Sequence, residues 1–302
     1  MTASSGLRAA IALMIALTLA ACGTAATQPG ARQASPFVAP APVPERPEEL
    51  VIVIPGALTS LGAFGPVFGW ADRRTAVVGY RFPGLDGMPR TGPVDIRAAG
   101  AEIARFVSRR EPRRVTLIGF STGAAIALEA AALMPGRKVQ VAAVSAAQPA
   151  PAALGTIAAG LGDTLRAVAR ARSLEGRRVW SEYNRALVFG RAHFGRPREA
   201  ERSRRMAEAS AARLITPGRG LLRDHSANLL TWTLPDPGRL SHARIVMFHG
   251  TEDIVFSLHG ARVLAGRLPD ATLYAYPEAG HLLFVARPRL YDDLRRTLRP
   301  WQ

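Results

Sequence analysis

The stretch "LIGFSTGAAIALEA", residues 117–130, breaks off an apolar run with a cluster of small residues and resumes as an alanine-rich helix. Gly119 and Gly123 bracket Ser121 at the point where a buried strand must turn into a helix. A residue on so sharp a turn takes a strained backbone conformation, and side chains on either side of it would strike the neighbouring strand and helix. Glycine at both positions removes that clash. Sterics explain the glycines. They leave Ser121 as either a spacer or the working part.

Working outward, the chain alternates strand and helix. "ELVIVIPG" and "TAVVGYRFPG" precede the opening stretch, and "RRVTLIGF" leads into it. "KVQVAAVSA", "ARIVMFHGTED" and "ATLYAYPEAG" follow. These short β-branched runs are apolar on both faces, as strands of a parallel sheet are. Helical spacing appears between them, for example at Ile96, Ala99, Ile103 and Phe106, and again in "SLHGARVLAGRL" and "PRLYDDLRRTLRP". Strands separated by helix-length segments imply right-handed crossovers and a mostly parallel sheet, here of about six strands. Residues 149–241 break the rhythm. So long a segment, mainly helix and loop and rich in arginine, reads as an inserted subdomain rather than a loop. Its apolar stretch "ANLLTWTL" around Trp232 reads as the insert's own small core, with the lining of a substrate entrance as the alternative.

The chain has 302 residues, 48% of them apolar, enough to build a sizeable core. Its formal charge of +16 is almost wholly arginine, since Lys138 is the only lysine. The arginines are scattered among acids with no aromatic-basic stripe, so nucleic acid is not an expected partner. A solvated surface with some attraction to anionic lipid is the plain reading. At the start, Arg8 precedes a short apolar run from Ala9 to Ala21, too short to span a bilayer but suited to a secretory signal over residues 1–21. The run ends in Leu19-Ala20-Ala21-Cys22, which resembles the lipobox of bacterial lipoproteins. That resemblance implies cleavage before Cys22, acylation of the cysteine with fatty acids such as palmitate, and a lipid-anchored place in the bacterial cell envelope. Cys22 is the single cysteine, so it has no disulfide partner. Residues 22–47, rich in Pro and Ala, read as an extended tether, and folded sequence is expected from Glu48.

A serine hydroxyl is a poor nucleophile at neutral pH and needs a base. His281, in "YPEAGHLLF", directly follows the last strand, at the carboxyl edge where open α/β sheets hold their sites. Asp253, in "HGTEDIVFS", follows the preceding strand at the same edge and can orient that imidazole. Read alone, Asp253 is more readily a helix cap, with Asp224 and Glu252 as other candidate acids. The remaining histidines, His193, His225, His242, His249 and His259, read as structural or exposed. The order serine, acid, histidine matches the nucleophile-elbow arrangement of this kind of sheet.

Across residues 48–302, "GFSTG", "HGTEDIVFS", "EAGHLLF" and "VIVIPGALTSLGAF" together resemble the α/β-hydrolase superfamily. The resemblance implies that fold, with a mainly helical cap at 149–241, and makes Ser121 the nucleophile, His281 the general base and acid, and Asp253 its orienting partner. The backbone N–H groups of Ala57 and Thr122 would form the oxyanion hole. Two features depart from the family pattern. Pro55-Gly56 stands where many relatives have His-Gly, and the family's usual first two antiparallel strands have no counterpart.

Such a set performs acyl transfer, and its rate is expected to fall on acidification because the base works neutral. A carboxylic ester hydrolase acting on a small-molecule or lipid ester is the favoured reading. Leu58, Phe120, Phe256 and Leu282 would give the pocket an apolar lining. No metal-ligand cluster, Walker loop or dinucleotide fingerprint is present, so no cofactor and no metal are expected. Peptidase, thioesterase and lysophospholipase activity stay open. The rival from another class is a non-catalytic binding lipoprotein on the same fold.

Overall fold

The computed structural model describes residues 35–150, 152–210, 217–229 and 231–298. The expected signal segment, Cys22 and the first part of the expected tether lie outside the described residues. Strands β1 (Phe37–Val38), β2 (Glu49–Ile54), β3 (Thr75–Tyr80), β4 (Arg114–Phe120), β5 (Lys138–Val144), β6 (Ala243–Gly250) and β7 (Ala271–Tyr276) form one sheet. Its order is β1-β3-β2-β4-β5-β6-β7. Every neighbouring pair is parallel except β1 with β3.

Side chains leave the central strands alternately, and each face finds its own helices. Leu50, Ile52 and Ile54 of β2 join a core with helices α2 (Ile96–Arg110), α3 (Thr122–Ala132) and α8 (Leu258–Arg267). Val51 and Val53 point the other way, into a core with α1 (Gly65–Phe68), α9 (Leu283–Ala286) and α10 (Leu290–Leu298). Burying one such aliphatic side chain contributes about 1.5–3 kcal/mol. A sheet covered on both faces therefore holds its strand ends rigidly, and those ends carry the site. Helix α3 is buried almost all round because it is rich in alanine, which lets it lie between the sheet and α2.

The sheet has seven strands, not about six. The addition is the two-residue antiparallel β1, which falls inside the segment expected to be a free tether. Phe37 stacks on Phe106 with ring centroids 4.1 Å apart and meets Tyr80 edge-on at 5.6 Å. Arg81 N–H donates to the Pro36 carbonyl at 2.7 Å. Val43 packs against the core, its carbonyl accepts from Arg110, and Arg113 N–H donates to the Pro47 carbonyl at 3.3 Å, so residues 35–47 are held on the domain along their length. A two-residue strand among prolines has no alternation to read, and so it escapes detection in the sequence.

Between β5 and β6 lies the insertion. It holds α4 (Ala152–Ala171), α5 (Gly176–Phe189), α6 (Pro197–Ser210) and α7 (Arg219–Ser226) among the described residues. One expectation about it fails. Trp232 is 3% exposed and packs into the main core beside α3, its indole N–H donating to Glu129 at 2.8 Å, rather than forming a core of the insert. The end of the insertion is thereby rooted in the sheet domain. A smaller cluster of Ala186, Leu187 and Ile254 joins α5 to the loop after β6.

Helix α7 is pinned through Asp224, whose buried carboxylate accepts from Arg90 at 2.6 Å and from Arg223 at 3.1 Å. The Asp224 carbonyl also accepts from Val94 N–H at 2.9 Å. The Arg90 hydrogen bond is the main reason the carboxyl is held below the usual carboxylate range. A carboxylate whose folded pKa is depressed adds stability above its unfolded pKa, and that stability is lost as pH falls through the folded value. Asp224→Asn is therefore expected to cost about 2 kcal/mol at neutral pH, the Arg90 side being partly open to solvent. The gap from wild type should begin to narrow below about pH 3.9, the unfolded aspartate value, and close only below the depressed folded value. Thermal unfolding followed from pH 7 down to about pH 2 reads both, and a gap that does not narrow as pH falls below about 3.9 contradicts the assignment.

Candidate active site

Ser121 sits between β4 and α3 with φ 54° and ψ −117°, a left-handed conformation costly for any residue with a Cβ. Its surroundings hold it there. Ser121 N–H donates to the Val144 carbonyl at 2.9 Å, and its own carbonyl accepts from Ala124 and Ala147 at 3.0 and 3.2 Å. The flanking glycines are needed for space. A Cβ on Gly119 would overlap the Gly123 carbonyl and come within 2.6 Å of the Ala124 Cα, and one on Gly123 would overlap the carbonyl oxygens of Ile54 and Pro55. As the first residue of α3, Thr122 has no intrahelical partner for its N–H.

The loop after β2 approaches the same point. A Cβ on Gly56 would lie 2.6 Å from the Phe120 ring and 2.9 Å from Ser121 Cβ. Beyond it, Thr59 N–H donates to the Gly56 carbonyl at 3.1 Å, closing a turn in which Leu58 has φ 59°. A left-handed leucine costs roughly 1–2 kcal/mol, so other contacts must hold this turn.

The loops after β6 and β7 are laced together. Thr251 N–H donates to the Tyr276 carbonyl and Glu252 N–H to that of Ala279, both at 2.9 Å. This lacing sets Asp253 beside His281. Asp253 Oδ1 accepts from the N–H groups of Val255 and Phe256 at 2.8 and 2.9 Å. Its other oxygen lies 2.8 Å from His281 Nδ1. Because a carboxylate only accepts, Nδ1 carries a proton, and in the neutral ring Nε2 then presents a lone pair. That Nε2 lies 3.1 Å from Ser121 Oγ. The three side chains form one hydrogen-bonded line. Ser121 and His281 are each 6% exposed and the Asp253 carboxylate is fully buried, so the interactions act away from bulk water. A hydroxyl within reach of an imidazole that is itself backed by a buried carboxylate can give up its proton to that ring as it attacks a carbonyl.

The other candidate acids lie elsewhere: Asp224 is taken by Arg90, and Glu252 packs against Gly190. The four apolar residues expected to line a pocket divide. The rings of Phe120 and Phe256 are buried and flank the His281 imidazole at 5.1 and 5.6 Å. Leu58 and Leu282 are half-buried. The insertion reaches the site through α5, where the Leu187 and Val188 carbonyls accept from Leu282 and Gly280 N–H, both at 2.9 Å. These bonds grip the backbone on either side of His281.

Two histidines assigned no role in the sequence prove to be close neighbours. His249 is fully buried, its Nε2 donating to the Phe256 carbonyl at 2.8 Å and lying 3.6 Å from Asp253. Burial pushes its pKa down, so it stands under the acid as a neutral group. His225 contacts the loop after β2. Neither is set apart by local pattern from the other histidines.

A sequence profile described as the alpha/beta hydrolase fold matches residues 50–288. No curated protein matches the chain significantly. Among solved structures, the esterase EaEST of Exiguobacterium antarcticum superposes with a TM-score of 0.59 at 18% identity, covering 84% of this chain and 93% of that one. The enol-lactonase of Burkholderia xenovorans LB400 gives 0.60 at 15%, covering 83% and 92%. A hydrolase of Pseudomonas aeruginosa PA01 gives 0.57 at 20%, covering 87% and 93%. Identities this low speak for the fold alone. The profile spans most of the chain, including the loops that bring Ser121, Asp253 and His281 together, and the protein belongs to the α/β-hydrolase fold family.

Proposed function

We propose that this protein is a serine hydrolase of carboxylic esters, with Ser121 as nucleophile, His281 as base and Asp253 as the group that orients it. The observation that carries the reading is the unbroken line from Ser121 Oγ through His281 to Asp253 behind a strained turn. In the first step Ser121 Oγ attacks the ester carbonyl while its proton passes to His281 Nε2. The imidazolium is stabilised by Asp253, and the oxyanion by the N–H groups of Thr122 and Ala57. Collapse expels the alcohol, which takes the proton from His281 and leaves an acyl-enzyme. Water then attacks with His281 again as base, releasing the acid and restoring the serine.

A fluorophosphonate probe applied to the purified chain tests this directly. Labelling that maps to Ser121, with turnover of p-nitrophenyl esters, is the expected result; an unlabelled Ser121 sinks the reading in favour of a non-catalytic binding protein. A panel of oxygen esters of varied chain length, set beside thioesters and anilides, separates esterase from thioesterase and peptidase activity.

The sequence Leu19-Ala20-Ala21-Cys22 supports a further part of the reading, a lipid anchor on Cys22 that ties the enzyme to the bacterial cell envelope. Metabolic labelling with an alkyne fatty acid in a bacterial host is expected to mark the wild-type chain and to be lost in Cys22→Ala. Equal labelling of both chains rejects the anchor.

A further inference from the structure

We propose that His225, carried by the insertion, is a positioning residue that holds the Gly56–Thr59 turn in the shape the oxyanion requires. The inference rests on the acyl-transfer reading of the Ser121 site. Leu58 N–H donates to His225 Nδ1 at 3.1 Å, and His225 Nε2 lies 2.8 Å from the Pro83 carbonyl. The partners decide the tautomer. A backbone N–H only donates and a carbonyl only accepts, so Nδ1 must carry the lone pair and Nε2 the proton. The ring is 2% exposed and meets Phe82 edge-on, which leaves it no room to turn to water. Burial also pushes its pKa down, in keeping with the neutral form the two contacts demand.

The consequence for the site follows from peptide planarity. Ala57 N–H shares one rigid plane with the Gly56 carbonyl, which the Thr59 N–H already holds at 3.1 Å. Leu58 N–H belongs to the next plane, and His225 holds that one. With both planes fixed, the direction of Ala57 N–H is fixed. Leu58 sits at φ 59°, so without the histidine the turn has reason to relax. The neighbouring Asp224, bound to Arg90, and its carbonyl, bound to Val94 N–H, anchor the helix that delivers the ring. A residue of the insertion thus completes a loop of the sheet domain.

Two polar substitutions in the full chain separate the two ring contacts. In His225→Asn an amide oxygen can stand where Nδ1 accepts from Leu58. His225→Gln can still reach Pro83 but leaves Leu58 N–H without an acceptor. The Gln variant is expected to lose roughly tenfold to hundredfold in kcat, less than outright removal of an oxyanion donor costs. Its KM should stay within about twofold, and the Asn variant within about threefold of wild type in kcat, because the interaction is made in the transition state. Equal kcat in the two variants, or a loss confined to KM, overturns the proposal. A readout that needs no turnover is the ring ¹⁵N pattern of His225 in the native chain, expected to show the Nε2–H tautomer at neutral pH. An Nδ1–H or doubly protonated ring overturns the proposal whether or not either variant folds. If wild type and Ser121→Ala alike turn over no ester, the hydrolase reading fails instead, and the ¹⁵N pattern still decides the contact.

Discussion

Ester turnover by Ser121→Ala is expected to fall by roughly 10⁴- to 10⁶-fold, leaving only what the oxyanion donors and substrate binding supply. The substitution removes one oxygen and nothing else. Ser121 Oγ makes no backbone hydrogen bond, and its partner is His281 Nε2 at 3.1 Å. The left-handed φ of 54° stays, since alanine meets the same backbone cost there as serine. Stability should accordingly stay close to wild type. His281 keeps its bond to Asp253, so the imidazole remains aligned with nothing to deprotonate. Purified variant with an unchanged melting temperature, no fluorophosphonate labelling and residual turnover at the stated level is the expected result. Retention of more than about a tenth of wild-type activity in this variant would remove Ser121 from the mechanism.

Gly123→Ala is expected to act on the fold before it acts on chemistry. Its Cβ would overlap the carbonyl oxygens of Ile54 and Pro55, at the carboxyl end of β2, and come within 2.8 Å of the Ile54 carbonyl carbon. These are backbone atoms at the buried end of β2 and just beyond it, so no side chain can swing away to make room. Relief requires moving α3 or the β2 end, and both are packed on the sheet. Overpacking of a well-packed core typically costs about 1–3 kcal/mol, and overlap with backbone stands at or above that upper end. Against a total stability of about 5–15 kcal/mol this is a large share. Urea unfolding should show the midpoint falling accordingly, with poor soluble yield. Any folded fraction should also be a slow enzyme, because Pro55 leads directly into the Gly56–Thr59 turn. A variant as stable and as active as wild type would mean that the elbow can open, contrary to its packing.

These two expectations divide between what local sequence carries and what it does not. The elbow was legible because a strand, a small-residue cluster and an alanine helix are adjacent in the chain, where period and composition can be read. The partners of Ser121 were legible for a related reason: strands of a parallel sheet all deliver their following loops to one edge, so a histidine and an acid placed directly after strands must meet there. Asp253 and His281 satisfied that rule, and Asp224, on α7, did not.

Other features were hidden because nothing local marks them. β1 shows as proline-rich composition until Phe37 is seen against Phe106. Trp232 has the setting of an insert-core residue, yet its environment is made by α3 and Glu129, a hundred residues earlier in the chain. His249 and His225 are two histidines among six. What distinguishes them is that one lies beneath Asp253 and the other against Leu58.

By itself, then, the sequence determined the alternating α/β architecture, the turn that needs two glycines, and the order of serine, acid and histidine. Periodicity, turn sterics and sheet polarity are all written within a few residues of each position. Tertiary structure alone decided the tautomer of His281, the pairing of Asp224 with Arg90 and the grip of His225 on the loop after β2. Those depend on which donors and acceptors, distant along the chain, are left facing one another once the core has closed.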